Sequence, residues 1–150
     1  MNGNPETLED FQQRSSKDGR AYEVIIKEHL QKQGVTLKNT KTEVTKLAGV
    51  EVDFVYEDTG GKTVYVECKG GRAARPGAAR TDNVKKAVAN GALIKSIDKK
   101  ALYIIYFSAP PVKDLSSHKM LETAEEAEFV DEIHFIDYNG QKIDTPGIHL

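Results

Sequence analysis

The segment ALYIIYFS, residues 101–108, is apolar in both alternating sets of positions before Pro110 and Pro111 stop it. A strand with one wet face alternates apolar and polar residues. A strand apolar on both faces belongs inside a sheet that is covered from both sides. The covering layers are legible on either side of it. From Ser16, a candidate N-cap, KDGRAYEVIIKEHLQKQG places Tyr22, Ile25, Ile26, His29 and Leu30 on one helical stripe, and Gly34 ends it. From Thr81, TDNVKKAVANGALIKSI does the same with Val84, Ala87, Val88, Gly91 and Ile94. The expected class is therefore α/β.

The remaining elements complete an order. VTLKNTKTEVTK (35–46) reads as a short exposed strand, and GVEVDFVYE (49–57) and KTVYVECK (62–69) as two stronger ones joined by DTGG. An acidic helix near 117–130, a strand EIHFIDY and an Asn139-Gly140 turn follow. The expected architecture is helix, three-strand meander, helix and strand, then a helix and strand or hairpin added at the end of a mixed sheet. A chain of 150 residues supports one core, so residues 16–150 are expected to form a single domain after a poorly ordered segment 1–15.

Several classes drop out. No apolar run reaches the length of a membrane span, and MNGNPETLED lacks signal-peptide character. A lone Cys68 builds no disulfide framework and fits a reducing compartment, so the expectation is a cytoplasmic protein without a membrane partner. GGKT at 60–63 lacks the upstream glycine and following helix of a phosphate loop, so no nucleotide cofactor is expected. Four scattered histidines show no zinc spacing, and nothing sets one beside Cys68.

The net charge of −2 conceals an asymmetry. Residues 69–100 carry nine Lys or Arg against Asp82 and Asp98, while 111–138 carry eight Asp or Glu against Lys113 and Lys119. Such a division is either two solvated helix faces or a directed surface field.

Charges inside the two central strands need a partner or a task. Pairing Asp58 with Lys62 across Thr59-Gly60-Gly61 sets Asp53 opposite Glu67 and Glu51 opposite Lys69 on one face, and a slip of one residue separates them. A salt bridge on a wet sheet face explains the lysine. It does not explain two adjoining carboxylates within apolar strands. Two carboxylates held together suit a hard cation such as Mg²⁺, with Mn²⁺ able to replace it. Such an ion polarises a phosphodiester and activates water, and Lys69 is placed to stabilise the phosphate or position that water. Cys68 points to the other face, leaving its backbone carbonyl as a further metal ligand.

Asp53, thirteen intervening residues and Glu67-Cys68-Lys69 resemble the PD-(D/E)XK nuclease superfamily, of restriction-endonuclease-like fold with an αβββαβ core. The resemblance spans about residues 16–108; Val52 stands where the motif's name has proline. It implies that Asp53 and Glu67 bind Mg²⁺, that Lys69 assists the water, and that Glu23 on the first helix is a further acidic ligand. It also implies in-line attack leaving a 5′-phosphate.

After Lys69 the chain runs into GGRAARPGAAR, so Arg72, Arg75 and Arg80 are expected beside the metal, with Thr81 at a helix N-terminus and Lys85 and Lys86 extending the patch. The resulting expectation is a Mg²⁺-dependent endonuclease acting on DNA, working as a homodimer. The alternatives are a catalytically silent nucleic-acid-binding module of the same fold and an assembly protein whose basic loop meets an acidic partner.

Overall fold

The computed structural model describes residues 8–71 and 81–150. Along the chain run α1 (Leu8–Lys32), α2 (Glu43–Ala48), β1 (Phe54–Glu57), β2 (Thr63–Lys69), α3 (Thr81–Ile97), β3 (Leu102–Phe107), α4 (Ser116–Glu126) and β4 (Glu132–Phe135). The strands form one sheet in the order β1-β2-β3-β4. β1 is antiparallel to β2, whereas β2–β3 and β3–β4 are parallel. Parallel neighbours need a crossover, and α3 and α4 supply them.

Alternation along the strands divides the core into two layers. On one face, Val64, Val66, Cys68, Ile104 and Tyr106 meet Tyr22, Ile26 and Leu30 of α1. On the other, Tyr65, Tyr103, Ile105 and Phe107 meet Val84, Ala87 and Ile94 of α3 and Leu121 of α4. Tyr22, Ile26, Leu30, Tyr103, Ile105 and Phe107 are fully buried. Burying one such aliphatic side chain contributes about 1.5–3 kcal/mol, so these two layers fix the strands that carry the charged residues. β3 is the doubly covered inner strand that ALYIIYFS implies.

Three expectations need correction. α1 begins at Leu8, not Ser16, so residues 8–15 are helical; LEDFQQR consists mostly of good helix formers, and they extend the helix through Gly19. Residues 35–46 form no strand beyond a bridge between Lys38 and Val55. Instead Thr42 caps α2: its hydroxyl accepts from Thr45 N at 3.1 Å, while Thr42 N donates to Thr45 Oγ1 at 2.9 Å. That reciprocal cap, closed by Gly49 in the left-handed region at φ 72°, outweighs the strand preference of the threonines. Because Gly49 ends a helix, the next strand starts only at Phe54, and Glu51 is an exposed loop residue rather than the cross-strand partner of Lys69.

At the far end, an antiparallel bridge between Ile136 and Lys142 closes the expected turn, with Gly140 at φ 76°. Among the described residues, no helix is long and apolar enough to cross a membrane.

Candidate active site

The ladder pairs Phe54 with Val66 and Glu57 with Thr63, so residue numbers across it sum to the same value as Asp58 and Lys62. The turn fixes that register. Asp58 N donates to Lys62 O at 2.9 Å, and Asp58 Oδ1 accepts from the amides of Gly60 and Lys62. Gly61, at φ 81°, makes the return.

Asp53 does not continue the ladder. It lies just before β1, and its N–H donates to Val66 O at 3.0 Å. Its Oδ2 accepts from Cys68 N at 2.7 Å. The carboxylate is thereby turned along β2 toward Glu67, which is buried at 6% exposure near the end of that strand. Glu67 faces α3, where Asn90 Nδ2 donates to its Oε2 at 3.1 Å. Lys69, two residues on, sets Nζ 3.9 Å from Glu67 Oε1.

Glu23 joins from α1. The Asp53 carboxylate acts electrostatically on both Glu23 and Glu67, which makes it the hub of the cluster. Electrostatics follow from that crowding. Burial pushes the Glu67 carboxyl up to about 8, with the Asp53 charge and the hydrogen bond to Asp53 adding to it; Lys69 and Asn90 pull it part of the way back. Burial, then the Asp53 charge and hydrogen bond, push Glu23 up to about 7, opposed by Arg20 and Lys69. Without a cation, Glu23 and Glu67 resist ionisation beside the Asp53 charge.

Among the described residues, no three His, Cys, Asp or Glu side chains form a ready-made metal cage. The carboxylates meet pairwise through Asp53. The donor set nevertheless fits a hard divalent cation: hydrated poorly, repelling one another and made of oxygen, these groups would ionise most readily around a doubly charged ion.

Gly70 and Gly71, at the end of β2, are closely packed and hydrogen-bonded. A side chain at Gly70 would put Cβ 2.5 Å from Tyr22 Cβ and 2.9 Å from the Tyr138 hydroxyl. Ser108 N donates to Lys69 O at 3.1 Å, and Ser108 Oγ accepts from Gly71 N at 3.0 Å. Cys68 packs on the α1 side, and burial raises its thiol well above the ordinary range, as suits a core thiol.

Of the basic candidates, Arg72, Arg75 and Arg80 lie outside the described residues. Thr81 is the first residue of α3 and half-buried, and Lys85 and Lys86 are exposed. Lys86 precedes Asn90 by four residues and so shares its side of the helix. Lys85 instead lines a groove with Val88, Ala89, Lys119 and Phe129. Asn90 is the site residue that the sequence did not single out. Its signal was an amide three residues after Ala87 and four before Ile94, beside an otherwise apolar stripe.

No family model matches the chain, and no curated protein matches it. Its fold is similar to that of a chain in a solved EndoMS–dsDNA2 complex, with 16% identity and a TM-score of 0.51 over 82% of this chain and 46% of that one. The present chain thus spans just under half the length of that EndoMS chain. At this identity the likeness establishes the fold: α/β, restriction-endonuclease-like, a mixed sheet flanked by helices.

Proposed function

We propose that this chain is a divalent-metal-dependent endonuclease that hydrolyses DNA phosphodiester bonds. The observation that carries the reading is the carboxylate cluster centred on Asp53, with Lys69 Nζ 3.9 Å from Glu67 Oε1 at its side. A buried Glu67 with Asp53, Glu23 and Lys69 half-buried around it adds nothing to a hydrophobic core, and burial of charge is costly without compensation. As a metal and phosphate site, the same grouping has a use.

In this reading Asp53 and Glu67 hold Mg²⁺ or Mn²⁺, with the Cys68 backbone carbonyl and Glu23 as further ligands. The cation, when bound, polarises the phosphodiester and lowers the pKa of a bound water. Lys69 stabilises negative charge on the phosphate or orients the attacking water, and it is close enough to Glu67 to be held ready. Asp53 is oriented by the Cys68 amide and Glu67 by Asn90, so neither carboxylate needs to reorganise much on binding. Arg72, Arg75 and Arg80, with Lys86 and the N-terminal end of α3 at Thr81, neutralise backbone phosphates; Lys85, turned toward the α3–α4 groove, contributes from farther off. The structural likeness to a protein solved on dsDNA supports DNA as the polymer. One centre per chain cuts one strand, so a twofold pair is the proposed working form on duplex.

A binding module of the same fold remains the second reading, favoured by a cluster whose Glu67 resists ionisation without a metal. A panel of plasmid, linear, single-stranded and junction DNA, incubated with Mg²⁺, Mn²⁺ or EDTA, separates the two. Cutting that needs the cation is expected on at least one substrate. Nucleic-acid binding without cleavage of any DNA or RNA would transfer the assignment to the silent module.

A further inference from the structure

We infer that Asn90 is a positioning residue that holds Glu67 to one-oxygen metal ligation and thereby favours a small octahedral cation over Ca²⁺. The inference rests on the proposed metal site and adds to it a residue from outside the strand motif.

A polar amide beside an apolar helix stripe requires a partner. For Asn90 that partner is Glu67 Oε2, at 3.1 Å. With a cation bound, Glu67 is ionised and only accepts, so the amide nitrogen is the atom that faces it. The helix has little freedom to withdraw. One turn earlier, Tyr103 donates its hydroxyl to Ala87 O at 2.6 Å. One residue later, Gly91 approaches so closely that a Cβ would stand 2.5 Å from Phe129 O and 2.7 Å from the Tyr103 ring. Asn90 is therefore clamped from both sides, and its amide is fixed over Glu67.

The consequence is a count of oxygens. Asn90 occupies Glu67 Oε2, and the Cys68 amide occupies Asp53 Oδ2 at 2.7 Å. Each carboxylate retains one oxygen without such a clamp, and on Glu67 it is Oε1, the one nearer Lys69. Mg²⁺ and Mn²⁺ accept single carboxylate oxygens and fill the remaining octahedral positions with water. Ca²⁺ takes six to eight oxygens and gains from carboxylates that bind through both. Oε2 keeps a second lone pair, but an amide hydrogen bond draws off its electron density and fixes the carboxylate's orientation, which weakens two-oxygen binding of Ca²⁺ and pre-orients Oε1 for the smaller ions.

Calorimetric titration of the full chain with Mn²⁺, Mg²⁺ and Ca²⁺, for wild type and Asn90→Ala, tests this without any measurement of cleavage. The expected result is a loss of roughly 10- to 100-fold in Mn²⁺ and Mg²⁺ affinity, with a smaller loss or a gain for Ca²⁺. The Mn²⁺/Ca²⁺ preference would then fall, by about tenfold or more where Ca²⁺ affinity is unchanged or gains. Both variants are checked for folding by circular dichroism, and Asn90→Ser, a smaller polar replacement whose hydroxyl falls short of Glu67, repeats the comparison if alanine unfolds the chain. An unchanged Mn²⁺/Ca²⁺ ratio in a folded variant overturns the role of Asn90 and leaves the metal site standing. Wild type that binds none of the three ions overturns both.

Discussion

Raising the pH of the metal-free protein from about 5 to about 9 should destabilise it, and Glu67 should be the main cause. Its carboxyl is pushed from 4.5 up to about 8 in the folded chain, by burial first and by Asp53 second. A folded-state pKa above the unfolded one means that the folded chain binds the proton more tightly. The resulting stability is fully present below about pH 4.5 and is lost as pH rises through about 8. At about 1.4 kcal/mol per pH unit, a gap of that size sets a ceiling on the order of 5 kcal/mol. Coupling of Glu67 to its charged neighbours keeps the expected loss below that ceiling, at on the order of 2–3 kcal/mol. Such a loss is a large part of a small domain's total stability. Urea unfolding in EDTA across that range, for wild type and Glu67→Gln, isolates the contribution. Glutamine keeps the shape and removes the ionisation, so the variant should match wild type near pH 5 and exceed it near pH 9. Adding Mn²⁺ at the alkaline end should restore wild type but not the variant. Parallel pH profiles for the two proteins, or wild type gaining stability toward pH 8, would refute the electrostatic account of the cluster.

Three further outcomes are expected. Gly70→Ala should lower the thermal midpoint by the equivalent of about 1–3 kcal/mol, because the new methyl group meets the fully buried Tyr22; an unchanged melt would contradict the packing described at the end of β2. Replacing Arg72, Arg75 and Arg80 together with alanine should weaken DNA binding and reduce its salt slope by about one unit per lost phosphate contact, whereas affinity equal to that of wild type at two salt concentrations would remove these arginines from the interface. Sedimentation with and without DNA should reveal a dimer, and a strict monomer in both states that only nicks plasmid would dispose of the twofold form.

The parts of the fold that were legible in the sequence are those fixed by periodicity. ALYIIYFS could only be an inner strand, and the stripes of α1 and α3 could only cover it. The hairpin register was readable because Asp58 and the Gly60-Gly61 turn leave one even pairing, and a core face forbids the odd one. Residues 35–53 were misread because threonine and valine favour strands on propensity alone. A reciprocal cap between Thr42 and Thr45 is a local hydrogen-bond device, and it competes successfully over six residues. The same misreading made Asp53 a ladder residue. Its actual orientation depends on one bond to the Cys68 amide, which no pattern of residue types encodes. Asn90 escaped for a related reason: its role comes from the distance between α3 and β2, set by Gly91 and Tyr103, and only tertiary packing brings it to Glu67.

In the proposed site Lys69 acts on the phosphate or the water while the carboxylates hold the metal. Plasmid cleavage in Mg²⁺ or Mn²⁺ by wild type and a folded Lys69→Ala variant, with metal and DNA binding measured on the same samples, tests it most directly. Wild type should cut, and the variant should bind both ligands nearly as well while cutting at least about a hundredfold more slowly. A variant that binds DNA and metal normally and cuts at the wild-type rate would contradict the account.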